Sequence, residues 1–164
     1  MHPVAKKIEE RLPQAVVCVK EAFGELTLTI RREEVVSVCR LLHDDPELDF
    51  DHITDVASVD FPNEVPRFEV VYHFYSIHKN HRIRVKARVP EGDCTIDSIT
   101  GIWAGANFLE REVYDMMGIR FNHHPDLRRI LMTEDYDEGF PLRKDFPVEG
   151  KGWRDTFEFI KEGK

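Results

Sequence analysis

Glu110-Arg111-Glu112 places two carboxylates beside one guanidinium in consecutive positions. These residue types serve as general acid and base when they converge on a substrate. His123-His124-Pro125-Asp126 brings two imidazoles and a carboxylate into one short run, a mixture that can bind a transition metal or carry protons near neutral pH. Arg82, Arg84, Lys86 and Arg88 stand at alternate positions, a cationic row suited to an acidic protein or a nucleic acid.

The elements that must carry these residues weaken each chemical reading. Successive helical residues diverge by about 100°, so Glu110 and Glu112 do not meet at one substrate atom, and an ion-pair network is the better expectation. Adjacent side chains of an extended segment point opposite ways, so His123 and His124 do not share a metal easily. His78 and His81 flank the expected turn Lys79-Asn80 without supporting ligands and read as exposed loop histidines. Glu134, Asp135, Asp137 and Glu138 miss the spacing of a calcium loop. Glu149-Gly150-Lys151-Gly152 is too short for a phosphate-binding loop, and no Gly-x-Gly-x-x-Gly opens a helix. A net charge of -8 argues against nucleic acid as a partner. Cys18, Cys39 and Cys94 are scattered and odd in number, which disfavours a disulfide framework, a zinc-thiolate site or an iron–sulfur cluster. By elimination the chain is expected to hold no catalytic residue, metal or cofactor of its own.

In chain order, Pro3 opens a helix with Val4, Ile8 and Leu12 on one face, stopped by Pro13. Ala15 to Val19 reads as a buried strand, and Leu26, Leu28 and Ile30 alternate with threonines in the next. Glu33 and Glu34 lead a helix bearing Val35, Val38, Cys39 and Leu42, ended by Pro46. Phe50 to Val59 and Phe68 to Tyr75 read as strands, the second apolar on both faces. Ile83, Val85, Ala87 and Val89 make a third, whose other face carries the four cations. The fold class is α+β: a two-layer domain with helices on one side of a mixed sheet. The sequence starts without a signal peptide pattern, and no run approaches the roughly 20 apolar residues of a membrane span. The expected setting is cytosolic or facing the cytosol, with any membrane link made through a partner.

A helix with Ser98 or Thr100 as candidate cap is expected to end at Gly118, with Ile99, Ile102, Ala106, Leu109, Val113, Met116 and Met117 on its apolar arc. Glu110 falls inside that arc and must find partners, whereas Arg111 and Asp115 project to the opposite, solvated side. Residues 1–120 therefore form the α+β domain, and residues 121–164 an irregular strap. A final helix through Trp153, Phe157 and Ile160 ends it. Apolar anchors interleaved with arginines suit a strap lying on its own core and on another chain. Arg128 or Arg129 is the expected partner of Glu110. Arg143, Lys144, Asp145 and Phe146 are expected to face the neighbouring protein.

Glu110-Arg111-Glu112-Val113-Tyr114-Asp115, then Gly118-Ile119-x-Phe121, then His124-Pro125-Asp126-Leu127-Arg128-Arg129-Ile130-Leu131 together resemble the signature of the 30-kDa subunit family of respiratory complex I. Pro141-Leu142-Arg143-Lys144-Asp145 resembles the family's second block. The resemblance implies a peripheral-arm subunit without a redox centre, packed against the large hydrogenase-like (49-kDa type) subunit near the quinone site. It implies FMN, iron–sulfur clusters and quinone only in other subunits, oxidation of NADH by quinone coupled to proton translocation, and a peripheral place on the cytoplasmic side of the cell membrane, reached through the complex. Glu110, Arg111, Glu112, Asp115, His124, Asp126, Arg128 and Arg129 then become signature residues with structural roles. Related subunits serve membrane-bound hydrogenases and a ferredoxin-dependent photosynthetic complex. A stand-alone metal enzyme using His123, His124 and Asp126 is the alternative of another class. Phe108, His123 and Phe140 depart from the family pattern, which has Trp, Gly and His there. His123 in place of Gly implies a backbone without positive φ, and Phe140 removes any acid–base role at its position.

Overall fold

The structure, a computed structural model, describes residues 2–148. Helix α1 (Pro3–Arg11) starts with proline, whose missing N–H costs nothing in a first turn, and His2 Nδ1 accepts from the Val4 amide at 3.3 Å. Strands β1 (Val16–Ala22) and β2 (Glu25–Ile30) form a hairpin about Phe23 and Gly24. A 3-10 turn at Arg32–Glu34 leads into α2 (Val35–Asp44), which buries Val35, Val38, Cys39 and Leu42. Strands β3 (His52–Asp60), β4 (Phe68–Ser76) and β5 (His81–Val89) follow. The short β6 (Thr95–Asp97), helix α3 (Ala106–Met117) and β7 (Arg120–Asn122) complete the regular elements among the described residues.

The main sheet runs β1-β2-β5-β4-β3, antiparallel except for the parallel pair β2–β5, so it is mixed as expected. One face, with Leu28, Val85, Val70, Tyr72 and Phe74, joins the buried sides of α1, α2 and α3 in a single core. On the other face the cations of β5 are neutralised within the chain. Arg84 reaches Glu25 at 3.1 Å, Lys86 reaches Glu69 at 2.9 Å, and Arg88 reaches Glu64 at 2.8 Å. The row is therefore not a bare basic surface.

Three local expectations change. The first strand is an edge strand with Val17 and Cys18 exposed, because it pairs only with β2 and carries a bulge between Val16 and Cys18. His78 is exposed, but His81 stacks on Phe50 at 4.5 Å, and its Nε2 lies 2.9 Å from the Leu48 carbonyl. Helix α3 begins at Ala106, with Gly105 at its N-cap, so Ser98 and Thr100 are not capping residues. Its other end follows the sequence: Gly118 takes φ 76, and its N–H donates to the Tyr114 carbonyl at 2.9 Å.

Strand β7 pairs in parallel with β6, so the strap begins as a strand whose Phe121 is buried. Beyond Asn122 it is irregular up to residue 148. The expected helix through Trp153, Phe157 and Ile160 lies outside the described residues.

Candidate functional site: a clasp between helix α3 and the strap

Asp115, near the end of α3, is fully buried. Its Oδ2 accepts three successive backbone amides of the strap, from Ile130 at 3.0 Å, Leu131 at 2.7 Å and Met132 at 2.8 Å. Its Oδ1 accepts from Arg129 Nη1 at 2.7 Å. Burial alone would push this carboxyl upward, but the three amides and the guanidinium outweigh it and hold Asp115 below the usual carboxylate range. Arg129 also donates to the Asp115 carbonyl at 3.2 Å and lies over the rings of Tyr136 and Phe140, 5.2 and 5.7 Å from their centroids.

One turn earlier the polarity reverses. Arg111 donates from Nε to the Arg128 carbonyl and from Nη2 to the Arg129 carbonyl, each at 3.1 Å. The helix thus offers an acid to the strap's amides and a base to its carbonyls, which satisfies backbone groups that no ladder pairs. Arg111 and Asp115 do not project into solvent as helix periodicity suggests. The strap covers that side of α3 and makes it a second interior.

Glu110 is fully buried on the opposite side, as expected, but its partners differ from expectation. Neither Arg128 nor Arg129 reaches it: Arg129 is held by Asp115, and Arg128 pairs with Asp126 at 2.9 Å. Ser98 Oγ donates to Glu110 Oε2 at 2.6 Å and the Ile99 amide to Oε1 at 2.8 Å. His124 Nε2 stands 3.8 Å from Oε2, with both side chains inaccessible to solvent. Burial with only neutral donors in hydrogen-bond range pushes the Glu110 carboxyl up to about 7. Glu112 is exposed.

His123, His124 and Asp126 do not assemble a metal site. His123 is exposed, and its φ of 62 shows that this backbone does take the left-handed conformation that Gly would favour. His124 Nδ1 accepts the Asp126 amide at 3.0 Å, and its Nε2 lies 3.2 Å from the Asn107 carbonyl. Among the described residues no group of three or more His, Cys, Asp or Glu is arranged to hold a metal ion.

The strap's far end is fixed to the rim of the sheet. Arg67 Nε and Nη2 both donate to Asp60, each at 2.8 Å, and Asp60 Oδ2 also accepts the Lys144 amide at 2.8 Å. Hydrogen bonding from Arg67 lowers the Asp60 carboxyl despite its burial. Asp145 reaches Arg67 at 3.1 Å. Arg143 donates to the Met117 carbonyl at 2.7 Å and lies over Phe68 and Phe140. Phe146 is half-buried and its amide donates to the Arg143 carbonyl at 3.0 Å, whereas the Lys144 side chain is exposed. The Phe140 ring covers Gly118 where a Cβ would stand. Sequence reasoning missed Ser98, Asp60 and Arg67. Asp60 meets Arg67 across seven positions and Lys144 across 84, Ser98 meets Glu110 across twelve, and no local pattern marks these pairs.

Because the amides of Ile130 and Leu131 turn inward to Asp115, their side chains turn outward. Leu131 is 60% exposed, Leu142 54% and Phe108 62%. Exposed apolar side chains thus stand on α3 and on the strap that it orders. Among the described residues it presents no activated nucleophile, and its carboxylates are occupied by structural partners.

Residues 28–152 match the family model described as respiratory-chain NADH dehydrogenase, 30 Kd subunit. A relative from Geobacter metallireducens is 51% identical over 147 residues, covering 89% of each chain, and one from Geotalea uraniireducens is 50% identical over 144 residues, covering 88% of this chain and 86% of its own. Both are named as a subunit of NADH-quinone oxidoreductase. Among solved structures, a trypsin-resistant fragment of Nqo5 superposes with a TM-score of 0.64 at 30% identity, over 76% of this chain and 99% of the fragment. A chain of the membrane-bound sulfane sulfur reductase, an archaeal respiratory membrane complex, shares the fold with a TM-score of 0.75 at 23% identity, over 96% and 87% of the two chains. The signature carried by α3 and the strap lies within the matched residues, and the chain belongs to the 30-kDa subunit family of the respiratory-chain NADH dehydrogenase.

Proposed function

We propose that this chain is a non-catalytic peripheral-arm subunit of a complex I-type NADH-quinone oxidoreductase, which passes electrons from NADH to quinone with proton translocation. Its task is to support the large hydrogenase-like (49-kDa type) subunit, while FMN, the iron–sulfur clusters and quinone belong to other subunits. It sits on the cytoplasmic side of the membrane and is held there by its partners; none of its described helices is long and apolar enough to cross one. The carrying observation is the exposure of Phe108 on α3 and of Leu131 and Leu142 on the strap that the clasp orders. Exposed apolar side chains on a rigid polar frame are what a subunit interface uses. The strap, residues 121–164, is the docking element. Lys144 and Asp145 stand at the rim, with Arg143 and Phe146 shaping the backbone beneath them.

Leu131→Asp combined with Phe108→Asp tests this reading. The doubly substituted chain should fold with an unchanged melting profile yet fail to co-purify with the large subunit and the NADH-binding flavoprotein. Normal incorporation into an active complex would remove the docking role from this surface.

A further inference from the structure

The clasp contains one group whose charge is not fixed by its surroundings. Glu110 faces the 98–100 loop, α2, β4 and the strap. From these it meets the Ser98 hydroxyl, the Ile99 amide, the Cys39 thiol, the Tyr72 phenol and His124. Among the described residues no Lys or Arg pairs with it. Burial pushes the Cys39 thiol and the Tyr72 hydroxyl upward, so both keep their protons. His124 Nδ1 accepts the Asp126 amide, which places a ring proton on Nε2, the nitrogen that lies near Asn107 O and Glu110.

Both charge states of Glu110 can be accommodated without moving the backbone. As a carboxylate it accepts from Ser98 and Ile99, and its charge is closed off from water by His124, whose Nε2 lies 3.2 Å from the Asn107 carbonyl and 3.8 Å from Oε2. As a carboxylic acid it keeps the Ile99 bond on Oε1 and donates from Oε2 to Ser98 Oγ. The Ser98 hydroxyl is then free to donate to Thr100 Oγ1, 2.8 Å away. The hydroxyl chain reverses direction and the buried charge beside His124 disappears.

We propose that Glu110 is a proton-binding switch, in which release of one proton reverses the Glu110–Ser98–Thr100 hydrogen-bond chain, leaves an unpaired charge sealed beneath His124 and loosens the hold of α3 on the His124–Asp126 turn of the strap. The group titrates near neutrality, so a small change in local proton concentration alters the grip. The switch is a property of the folded chain and operates whether or not the chain works in a quinone-reducing complex.

Carbon-13 NMR of the full chain labelled at glutamate carboxyls, with backbone hydrogen exchange across pH 6 to 8, tests it. One carboxyl resonance, absent in Glu110→Gln, should titrate with a midpoint near 7. The Asp126 amide, corrected for intrinsic exchange, should lose about threefold or more in protection as pH rises, and that loss should vanish in the Gln variant. Ser98→Ala removes a donor to the carboxylate and should move the midpoint upward, which keeps the test decisive if the Gln variant does not fold. A Glu110 carboxyl titrating below pH 5, a midpoint unmoved by Ser98→Ala, or equal pH dependence of Asp126 protection in both chains would overturn the proposal.

Discussion

Asp115 grips Arg129 through Oδ1 at 2.7 Å while its other oxygen gathers the amides of the three residues that follow Arg129. One side chain therefore fixes both the direction and the position of the strap on α3. Asp115→Ala would leave three inward amides and a half-buried guanidinium without an acceptor. The expected loss is on the order of 3–5 kcal/mol in chemical denaturation, with protease cuts appearing first between residues 128 and 142. The Asp115 carboxyl is depressed, so its contribution is present above the ordinary Asp range and is lost as pH falls through the folded value. Wild type should lose this increment in acid, and an Asp115→Asn chain should show a flatter profile there.

Glu110 has the opposite sign. Its folded carboxyl is raised from 4.5 to about 7, so the native state binds the extra proton, and stability falls as pH rises between those values. Glu110→Gln imitates the protonated form. It should be more stable than wild type by up to about 3 kcal/mol at pH 8, with the advantage disappearing below about pH 4.5. Glu110→Ala instead orphans the Ser98 hydroxyl and the Ile99 amide and opens a cavity, at a cost on the order of 3 kcal/mol below about pH 4.5 that shrinks as pH rises and wild type loses its proton-linked increment. Parallel thermal or urea melts across pH 4–8 check both.

Gly118→Ala should destabilise the chain by about 2–4 kcal/mol, since a side chain would have to tolerate φ 76 and displace the Phe140 ring. Combining it with Phe140→Ala should remove the steric part and leave only the backbone part. Denaturation of the single and double variants separates the two.

Phe23 occupies the first position of the β1–β2 turn with φ 54 and is completely exposed. Asn tolerates that conformation far better. Phe23→Asn should therefore raise stability by about 1 kcal/mol, read as a higher melting temperature with unchanged far-ultraviolet circular dichroism.

How far the sequence disclosed this arrangement depended on whether a residue's partner was local. The alternation of Ile83, Val85, Ala87 and Val89 marked β5 because a core face demands an apolar side chain at every second position. Gly118 marked the end of α3 because only a left-handed residue closes that helix. The burial of Glu110 was legible from helical spacing, but its partners were not, since a backbone amide and a serine at a chain reversal leave no pattern. Arg111 and Asp115 were misplaced for a related reason. Periodicity assigns them to the outside of the helix, and nothing in the periodicity says that a strap without secondary structure will cover it. The turn at His123 was misjudged because the side chain argued against a conformation that the neighbouring bonds of His124 impose.

The parallel pairing of β2 with β5 governs when this chain can acquire its shape. Leu26 lies opposite Ile83, so the centre of the sheet cannot close until β3, β4 and β5 have left the ribosome. Such pairing across a long stretch of chain raises the contact order and slows folding. The β1–β2 hairpin meanwhile waits with an unpaired edge, a hazard for association with the wrong partner. Because the strap rests on β6, α3 and the end of β3, it is the last part to settle. The surface offered for docking is therefore completed only after the sheet, which leaves little for a half-folded chain to present to its complex.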